Sequence, residues 1–480
     1  MGSLELDLEP QASDANGITT ATTSATTSAT TSAVLHRHLG HDFLALDRSE
    51  GNYLILENGQ KIFDASGGPA VGCVGWGNKR VVQAVTNQML KAAYCSTLFY
   101  TTQVQEQLCQ ELIESTDGKL SRAYIVNSGS EAMEAAVKLA RQYFLELKPS
   151  QTQRTRYISR KQSYHGTTLG ALAVGGHEYR RAKFEPLMMK NVSTVSPCFN
   201  FRGRIAGESD AEYVNRLAKE LDDEFQKLGP ETVCAFIAEP VVGAALGCVT
   251  ALPGYFKAMH AVCQKYGALL ILDEVMCGMG RTGTLHAWQQ EGVVPDIQTI
   301  GKCLGGGYQA IAGVLANHRV VDTIARGSSA FVHGHTYQGH PVNCAAALEI
   351  QRIIRDEDLM KNVREMGVLL SGQLKKQLGH HPNVADIRGR GLFWGIEFVA
   401  DKQTLRPFPA EAHVALNMAE LGLTEKYSIN VYPGSGTVDG IEGDHIIVSP
   451  AFNVSSEDIL MIVSAVTRLI GDYFAKQSFV

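Results

Sequence analysis

The chain has 480 residues, of which 45% are hydrophobic and 19% charged, and its formal net charge is -6. A globular chain of this length is expected to form two domains, or one large domain with a satellite. The weakly acidic charge gives no reason to expect a nucleic-acid partner, and no apolar run is long enough to span a membrane. Ten cysteines without a Cys-x-x-Cys pair argue against a metal site and favour a reducing, cytoplasmic location.

Residues 1–33 differ in composition from the rest of the chain. They contain tandem Ala-Thr-Thr-Ser repeats with nothing large to bury, so this tail is predicted to be disordered. Acidic residues and the absence of arginine before Arg37 argue against an organelle import peptide. Folding is expected to begin near Leu35.

The first folded elements are a hairpin, a glycine-rich loop and a helix. Asn58-Gly59 lies between two apolar runs and is typical of a tight hairpin turn. The loop that contains Trp76 precedes a predicted helix over residues 81–92. Because no Gly-x-Gly-x-x-Gly follows a strand here, the loop is interpreted as a sharp turn rather than a phosphate cradle.

A stronger phosphate candidate follows the predicted strand 123–126. Small residues lead into a helix that has Ser130 at its start, where the first-turn amides point toward any bound anion. The alternative is an ordinary serine N-cap with Glu131 facing the helix dipole. On this stretch alone, the ordinary cap is the simpler interpretation.

The next loop offers an aromatic residue and a histidine. Tyr164 follows a predicted strand that begins at Tyr157, and an aromatic side chain there can stack on a planar ring. The neighbouring His165 is a possible catalyst, although an isolated loop histidine is more often structural. Residues 199–230 are polar and are predicted to lie at the surface.

Two buried strands then end in carboxylates. The strand 234–238 ends at Glu239, a helix covers residues 253–266, and the strand 268–272 ends at Asp273. A strand, helix and strand in this order predict a right-handed parallel unit, whose ligands lie at the carboxyl ends of the strands. Buried carboxylates are costly without polar or cationic partners, so this edge is predicted to be a binding site.

Lys302 completes this arrangement. It lies between a short apolar run and three consecutive glycines, which leave room for a flat molecule against the backbone. An amine beside a fixed carboxylate suits an enzyme that binds an aldehyde cofactor as a Schiff base and keeps a ring nitrogen protonated. After Pro341, helices and strands to the C-terminus predict a satellite α/β unit.

The ordered motifs resemble those of the class III pyridoxal-phosphate aminotransferases, the omega-aminotransferase group of the aspartate-aminotransferase fold. They run from about residue 35 to the C-terminus and, taken together, are highly specific. The matching motifs are Ser128-Gly-Ser-Glu-Ala, Tyr164-His-Gly, Glu239-Pro, Leu272-Asp-Glu-Val, Gly280-Arg-Thr-Gly, Gly301-Lys, Thr336-Tyr-x-Gly-His-Pro and Arg388-Gly-x-Gly-Leu.

The resemblance implies an α/β protein of PLP fold type I. Its large domain, residues 81–342, has a mainly parallel sheet flanked by helices and binds pyridoxal 5′-phosphate. Residues 34–80 and 343–480 are expected to build a smaller α/β domain from the two ends of the chain. The resemblance also implies a homodimer with shared active sites, a small-molecule amine donor and an oxo acceptor.

The resemblance further implies roles for individual residues. Lys302 forms the Schiff base and moves a proton, and Asp273 keeps the ring nitrogen protonated. The other cofactor residues contact the phosphate, stack on the ring or lie beside it. Phosphate contacts are expected from Gly129, Ser130 and, across the dimer interface, Thr336; ring contacts are expected from Tyr164 and Val275, and Glu239 is expected beside Asp273. A helix cap is the alternative role for Thr336.

Departures from the family pattern bear on the substrate. Met276 stands where many members have a glutamine that contacts the cofactor, and two usual carboxylate-binding arginines are replaced by Ile447 and Tyr432. Trp76 and Tyr100 are expected at the substrate entrance. These residues favour an apolar or aromatic amine without an α-carboxylate, paired with an oxo-acid acceptor whose cationic receptor the motifs do not reveal. A decarboxylase, an aminomutase or a lyase of the same fold is the alternative.

Overall fold

The computed structural model describes residues 26–27 and 32–476. Its strands are β1 (Thr26–Thr27), β2 (Phe43–Leu44), β3 (Leu46–Glu50), β4 (Tyr53–Leu56), β5 (Lys61–Asp64), β6 (Arg122–Val126), β7 (Arg156–Arg160), β8 (Val192–Val195), β9 (Val233–Ala238), β10 (Val241–Val242), β11 (Val249–Thr250), β12 (Leu269–Asp273), β13 (Ile297–Ile300), β14 (Ala312–Ala316), β15 (Val384–Arg390), β16 (Phe393–Phe398), β17 (Ile429–Asn430), β18 (Tyr432–Ser435) and β19 (Asp444–Val448).

The helices alternate with these strands along much of the chain. They are α1 (Gly67–Ala70), α2 (Lys79–Lys91), α3 (Gln103–Glu114), α4 (Gly129–Glu146), α5 (Leu169–Val174), α6 (Glu178–Arg181), α7 (Asn200–Gly203), α8 (Asp210–Leu228), α9 (Tyr255–Lys265), α10 (Trp288–Glu291), α11 (His318–Arg326), α12 (Pro341–Asp356), α13 (Leu359–Leu378), α14 (Val414–Gly422) and α15 (Ser456–Lys476).

The largest sheet of the described residues has seven strands in the order β6-β14-β13-β12-β9-β7-β8. Only β14 runs antiparallel to its neighbours, so the other six strands end at one common edge. The predicted strand-helix-strand unit is confirmed as β9, α9 and β12, with β9 and β12 paired in parallel. The mainly parallel sheet of the predicted fold class is therefore confirmed.

Helices cover both faces of this sheet, which explains why its central strands are apolar throughout. Alternate residues of β12 face opposite layers: Leu269 and Ile271 pack in a cluster with α4, whereas Leu270 and Leu272 pack in a cluster with α8 and α9. The whole of β12 is buried. A strand enclosed in this way holds the residue at its end in a fixed position.

Two smaller four-stranded sheets are built from the ends of the chain, and one of them contains strands from both ends. One has the order β17-β5-β4-β3, in which the C-terminal strand β17 pairs with the N-terminal strand β5. The other, β15-β16-β19-β18, is antiparallel and built wholly from C-terminal residues. This agrees with a smaller α/β unit made from both ends of the chain, while the boundaries at residues 80 and 342 stay predictions.

Several sequence expectations meet the structure directly. The hairpin around Asn58-Gly59 forms as β4 and β5, with Leu54 opposite Ile62. The expectation of a polar surface stretch over residues 199–230 is wrong in part, because α8 buries one apolar face there. The apolar residues of α8 recur about once per helical turn, so the segment is an amphipathic helix although its overall composition is polar. The buried side chains are Tyr213, Val214, Leu217, Leu221 and Phe225.

The structure describes only a few residues of the tail 1–33, which was predicted to be disordered. Residues 1–25 and 28–31 lie outside the described residues. Thr26–Thr27 forms β1, which pairs antiparallel with β2, so these two residues differ from the predicted disorder. The physical reason is that an extended threonine pair can complete the hydrogen bonds of an exposed strand edge.

A chain of buried polar groups ties α3 to the large sheet. Gln298, within β13, accepts a hydrogen bond from Trp288 Nε1 at 3.1 Å and donates to His286 Nδ1 at 2.9 Å. His286 Nε2 lies 2.8 Å from Ser115 Oγ, which donates to the carbonyl of Leu112. Because Nδ1 accepts a hydrogen bond, the neutral imidazole fits this chain, and burial lowers the pKa of His286 to about 4.

This histidine should make stability depend on pH. Its folded pKa of about 4 lies below the unfolded value of about 6.5, so the unfolded state binds more protons between these values. Stabilisation is complete above pH 6.5 and is lost as pH falls toward 4, at up to about 1.4 kcal/mol per pH unit. We expect His286→Gln to flatten the pH dependence of the free energy of urea unfolding in this window. The exposed-histidine control, His380→Gln, should keep the wild-type slope, and a wild-type slope in His286→Gln would contradict the assignment.

Candidate active site

The common edge of the large sheet gathers residues from five strand ends. Gly129 and Ser130 follow β6, Tyr164 and His165 follow β7, Glu239 follows β9, Asp273 ends β12 and Lys302 follows β13. Together with Val275 they line one cavity of ≈ 260 Å³. Ligand pockets typically measure about 300–1,000 Å³, so this volume suits one small ring compound.

Asp273 is held by three hydrogen bonds. Its Oδ1 accepts from the main-chain N–H of Val275 and from Thr299 Oγ1, both at 3.0 Å. Its Oδ2 lies 2.7 Å from His165 Nδ1, which donates to the carboxylate. The other ring nitrogen of His165, Nε2, is buried without a hydrogen-bond partner among the described residues. The carboxylate therefore has a fixed orientation toward the cavity.

Lys302 lies in a strained and largely apolar position. Its backbone φ of 43° is in the left-handed region, which non-glycine residues seldom occupy and which is frequently found at functional sites. Burial lowers the pKa of its amine, while the nearby Asp273 and Glu239 carboxylates oppose this shift. The lowered pKa favours the neutral amine, which is the nucleophilic form.

Glu239 occupies a different electrostatic environment from Asp273. Its Oε1 accepts from the main-chain N–H of Tyr164 at 3.1 Å, and its Oε2 accepts from that of Gly243 at 3.2 Å. Burial raises the pKa of Glu239, in spite of the opposing effects of His165 and Arg160. Glu239 is therefore driven toward its neutral form.

The start of α4 forms one wall of the cavity. Its N-cap is Ser128 rather than Ser130, because Ser128 accepts from the Glu131 amide and Glu131 completes a capping box. As the first two residues of the helix, Gly129 and Ser130 lack intrahelical acceptors for their amides. Ser130 Oγ also accepts from the Thr167 amide at 3.0 Å. This geometry suits an anion.

Glycine is required at the narrowest part of this wall. A Cβ atom added at Gly129 would lie 2.7 Å from Val275 Cγ1. A Cβ atom at Gly166, whose φ is +132°, would lie 2.6 Å from Ser130 Oγ. Larger residues at either position would push these neighbours into the space above Lys302 and the helix terminus.

Four residues that the sequence analysis assigned to the site do not line the cavity within residues 32–476. The Trp76 indole packs between Gly72 and Gly307 and donates to Asp64 Oδ2 at 3.1 Å. Tyr100 is 68% exposed. Tyr432 packs at the edge of an apolar cluster that includes Ile447.

Thr336 is the fourth of these residues. It is exposed in a turn, and α12 begins only at Pro341 after the N-cap His340, so the alternative role of Thr336 as a helix cap is wrong. Its predicted phosphate contact across a dimer interface stays a prediction.

The structure also identifies contacts and residues that sequence reasoning missed. The sequence analysis named His165 as a possible catalyst or a structural histidine but did not predict that it contacts Asp273, which is 108 positions away in the chain. Thr299, the other side-chain partner of Asp273, was not named. Asn127 and Gln309 line the cavity as well. Thr299 lies near the end of β13 and Asn127 directly follows β6, and these positions at the common edge could have marked both residues as part of the site. Among the described residues, no group of three or more histidine, cysteine or acidic side chains could hold a metal ion.

Within 26–27 and 32–476, no helix combines the length and the apolar character needed to cross a membrane.

Comparisons with known proteins agree with this geometry. Over 418 residues the chain is 52% identical to a protein named aminotransferase from Gibberella zeae, covering 87% of this chain and 82% of that one. It is 33% identical to gamma aminobutyrate transaminase 2 of Solanum lycopersicum, covering 90% and 96% of the two chains. The omega transaminase of Pseudomonas jessenii in complex with PMP superposes with a TM-score of 0.83 at 31% identity, covering 90% and 93%.

The family assignment rests on most of the chain. The model of the family described as Aminotransferase class-III matches residues 35–464, which include every residue of the cavity. The match begins at the residue where the sequence analysis expected folding to start. From this match and from the relatives above, the chain belongs to the class-III aminotransferases.

Proposed function

We propose that the cavity binds pyridoxal 5′-phosphate and that the protein transfers amino groups between an amine donor that lacks an α-carboxylate and an oxo-acid acceptor. One observation carries this proposal: a single cavity holds an amine, a fixed carboxylate and a helix N-terminus. These match the three reactive features of the cofactor, namely its aldehyde, its ring nitrogen and its phosphate. The relative crystallised with PMP supports the same cofactor class.

The residues present fit this cofactor. Lys302 Nζ makes no hydrogen bond to any residue of the range 32–476, so its amine is free to react. The Gly129 and Ser130 amides suit the phosphate, and the gap that glycine preserves beside Val275 suits a flat ring. Tyr164 would stack on one ring face and Val275 would pack on the other. Glu239 would lie beside the ring, held in place by the main-chain N–H groups of Tyr164 and Gly243.

When bound, the cofactor supplies an aldehyde that condenses with amines and a ring that takes up electron density. Asp273 then holds a proton at the ring nitrogen, because an ionised carboxylate stabilises the adjacent positive charge. His165 and Thr299 keep that carboxylate oriented. The neutral amine of Lys302 would accept a proton from the substrate Cα and return it at the cofactor carbon C4′, which is the proton shift that transamination requires.

We infer that two copies of the chain form the active dimer. Large apolar side chains are exposed around residues 90–100 and near Thr336, including Leu90, Leu98, Phe99, Tyr100 and Val332. The Tyr94 ring lies 6.1 Å from the ring of Tyr337, which follows Thr336 directly. Exposed apolar patches of this kind mark protein interfaces, so a second copy would cover the turn that contains Thr336.

The proposed dimer can be tested directly. Light scattering of the purified protein should give twice the monomer mass, and Thr336→Ala should weaken cofactor binding while the dimer stays intact. A stable monomer with full activity would contradict the shared site. If the dimer forms, Trp76 and Tyr100 keep their proposed place near the substrate entrance.

The substrate class follows from the apolar part of the cavity. Val71, Ala244, Met276 and Ile311 line it, and Ile447 is fully buried where relatives with an α-carboxylate substrate have arginine. A donor without an α-carboxylate, such as an arylalkyl amine or a long alkyl amine, avoids the need for that arginine. The related tomato protein is named for gamma-aminobutyrate, whose amino group is borne by a carbon without a carboxylate.

The proposed function is tested by single-turnover spectroscopy of the cofactor-loaded protein. Carboxylate-free amines should convert the bound aldehyde form to the aminated form in the absence of an acceptor. Faster conversion by ornithine, acetylornithine or alanine than by every such donor would contradict the substrate class. Carbon dioxide release or ammonia release without amination would favour a decarboxylase or a lyase, and a migrated amino group would favour an aminomutase.

The cellular location is a separate inference. All ten cysteines, a count taken from the full sequence, are free thiols in the structure. Free thiols persist in reducing compartments, which supports a cytoplasmic location. Fractionation of the cell of origin with an antibody to the protein would test this placement.

A further inference from the structure

The oxo-acid acceptor brings a carboxylate into a cavity whose usual arginine positions are occupied by Ile447 and Tyr432. A carboxylate in a largely dry site requires a cation, and the planar fork of arginine is the most effective partner. Lys302 cannot supply it, because its amine is needed to accept and return the proton of the substrate carbon. Another cation near the cavity must therefore meet the acceptor.

Most arginines around the site are already committed to other partners. Arg388 donates to Glu397 Oε2 at 2.6 Å and to Asp386 Oδ2 at 3.1 Å, and Arg390 donates to Glu291 Oε1 at 2.8 Å. Arg160 donates to the carbonyl of Glu239 at 2.5 Å, and Arg281 donates to the carbonyls of Gly72 and Pro450 at 2.7 and 2.6 Å. Releasing any of these buried groups would leave a charge or a carbonyl without its partner, which is costly.

Arg180 differs from this group. It lies at half-buried depth in α6, and its guanidinium carbon is 4.5 Å from the centroid of the Tyr164 ring. Within residues 32–476, no carboxylate lies within ion-pairing distance of Arg180, whereas its neighbour Arg181 is bound to Glu185 and to the carbonyl of Gly175. Arg180 is thus a cation that rests on the ring of Tyr164, a residue that lines the cavity, and it is held there by the ring and the phenol rather than by an ion pair.

The surrounding charges also favour an incoming carboxylate at this position. The main-chain N–H of Tyr164 donates to Glu239, a buried acid whose pKa is raised by its burial. The phenol of Tyr164 experiences the positive charge of Arg180 as well, because that charge opposes the rise that burial causes in the tyrosine pKa.

We infer that Arg180 receives the carboxylate of the oxo-acid acceptor and so determines specificity in the second half of the reaction. This inference rests on the proposed function. The Arg180 guanidinium can turn from the Tyr164 ring toward the cavity without breaking an ion pair, and it does so only when an acid is bound. In the absence of an acid, the guanidinium stays on the ring and the cavity remains apolar for a donor that lacks a carboxylate.

The test compares Arg180→Met, Arg180→Lys and the matched control Arg181→Met in the cofactor-loaded protein. For Arg180→Met, kcat/KM for pyruvate should fall roughly 10- to 100-fold, the loss expected for one charge-assisted interaction. For butanal, which has no carboxylate, it should change less than about threefold. Arg180→Lys should recover part of the pyruvate rate, and Arg181→Met should leave both rates near wild type.

A binding measurement separates recognition from turnover. Propanoate carries the carboxylate but cannot react, and its affinity for the loaded enzyme, measured by calorimetry, should fall in Arg180→Met by the same factor as kcat/KM for pyruvate. Arg37→Met tests the rival cation, because Arg37 is exposed but its charge also acts on the Tyr164 phenol. Loss of pyruvate selectivity in Arg37→Met with none in Arg180→Met would overturn the inference.

Failure of this inference is distinguishable from failure of the proposed function. If wild-type protein is not aminated by any donor, the function is wrong whatever Arg180 does. If wild-type protein completes the cycle with pyruvate and Arg180→Met does so equally well, only the assignment of Arg180 is wrong.

Discussion

Lys302→Ala should lower transamination by at least about 10²-fold and up to about 10⁴-fold, the range that a positioned acid-base group contributes. The Lys302 side chain lines the cavity, and burial lowers the pKa of its amine. Among the described residues no other lysine lines this cavity, so none can take its place. Turnover of an amine and pyruvate, followed by stopped-flow absorbance, measures the effect.

The fold should survive this substitution because the amine has no hydrogen bond to lose among residues 32–476. Circular dichroism and thermal unfolding should therefore match the wild type. The exposed Lys161→Ala serves as a control and should retain full activity. Added methylamine should restore part of the lost rate, since a small amine can enter the space left by the side chain. Wild-type turnover of Lys302→Ala without added amine would contradict the assignment.

Asp273→Asn should lower turnover by roughly 10²- to 10³-fold, as expected when a preorganised charge at a reacting centre is removed. Asparagine keeps an oxygen to accept from Val275 and Thr299, so the local structure should remain. It cannot keep a ring nitrogen protonated as a carboxylate does. The expected result is a folded protein that binds the cofactor but scarcely converts it, as measured by single-turnover absorbance.

Asp296→Asn is the matched control for this change. Asp296 is also buried in the large sheet, but it lies before β13, at the opposite edge from the cavity. It accepts from the Leu270 amide at 2.9 Å and from Asn317 Nδ2 at 3.0 Å. This variant should lose stability yet keep its turnover per folded molecule. Equal losses of turnover in both variants would show that Asp273 acts through the fold alone.

The elements predicted best from the sequence are those whose signal is local. The apolar runs that end at Glu239 and Asp273 show both the strand and the edge at which it ends, because a strand buried on two faces has few alternatives. The Asn58-Gly59 turn likewise depends on only two residues. These local signals predicted a binding site at the strand ends that carry Asp273 and Glu239, whereas the addition of Lys302 depended on the ordered motifs.

The helix α8 shows where local reasoning failed although the signal was present. Its charged residues dominate the composition, but Leu217, Leu221 and Phe225 recur four positions apart, and Ser209 with Glu212 forms a capping box. A test for helical periodicity would have found it. Composition alone describes only the solvent face of such a helix.

Other features have no local signal. The pairing of His165 with Asp273 depends on the order of β7, β9 and β12 in the sheet, which no single stretch of residues encodes. The position of Trp76 between two glycines depends in the same way on Gly307, which lies far away in the chain. Motif resemblance placed both aromatic residues Trp76 and Tyr100 at the entrance, whereas their packing in one copy of the chain places neither in the cavity.

The pairing of β5 with β17 has a consequence for synthesis in the cell. Asp64 and Asn430, joined by a hydrogen bond, are separated by 366 residues, so the N-terminal hairpin leaves the ribosome long before its partner strand is made. At about 5–20 residues per second, the wait is on the order of tens of seconds. During that time Ile62 and Phe63, buried in the finished protein, have no lasting cover. The nascent chain is therefore a natural client for a chaperone that shields its N-terminal apolar strands until the last hundred residues emerge.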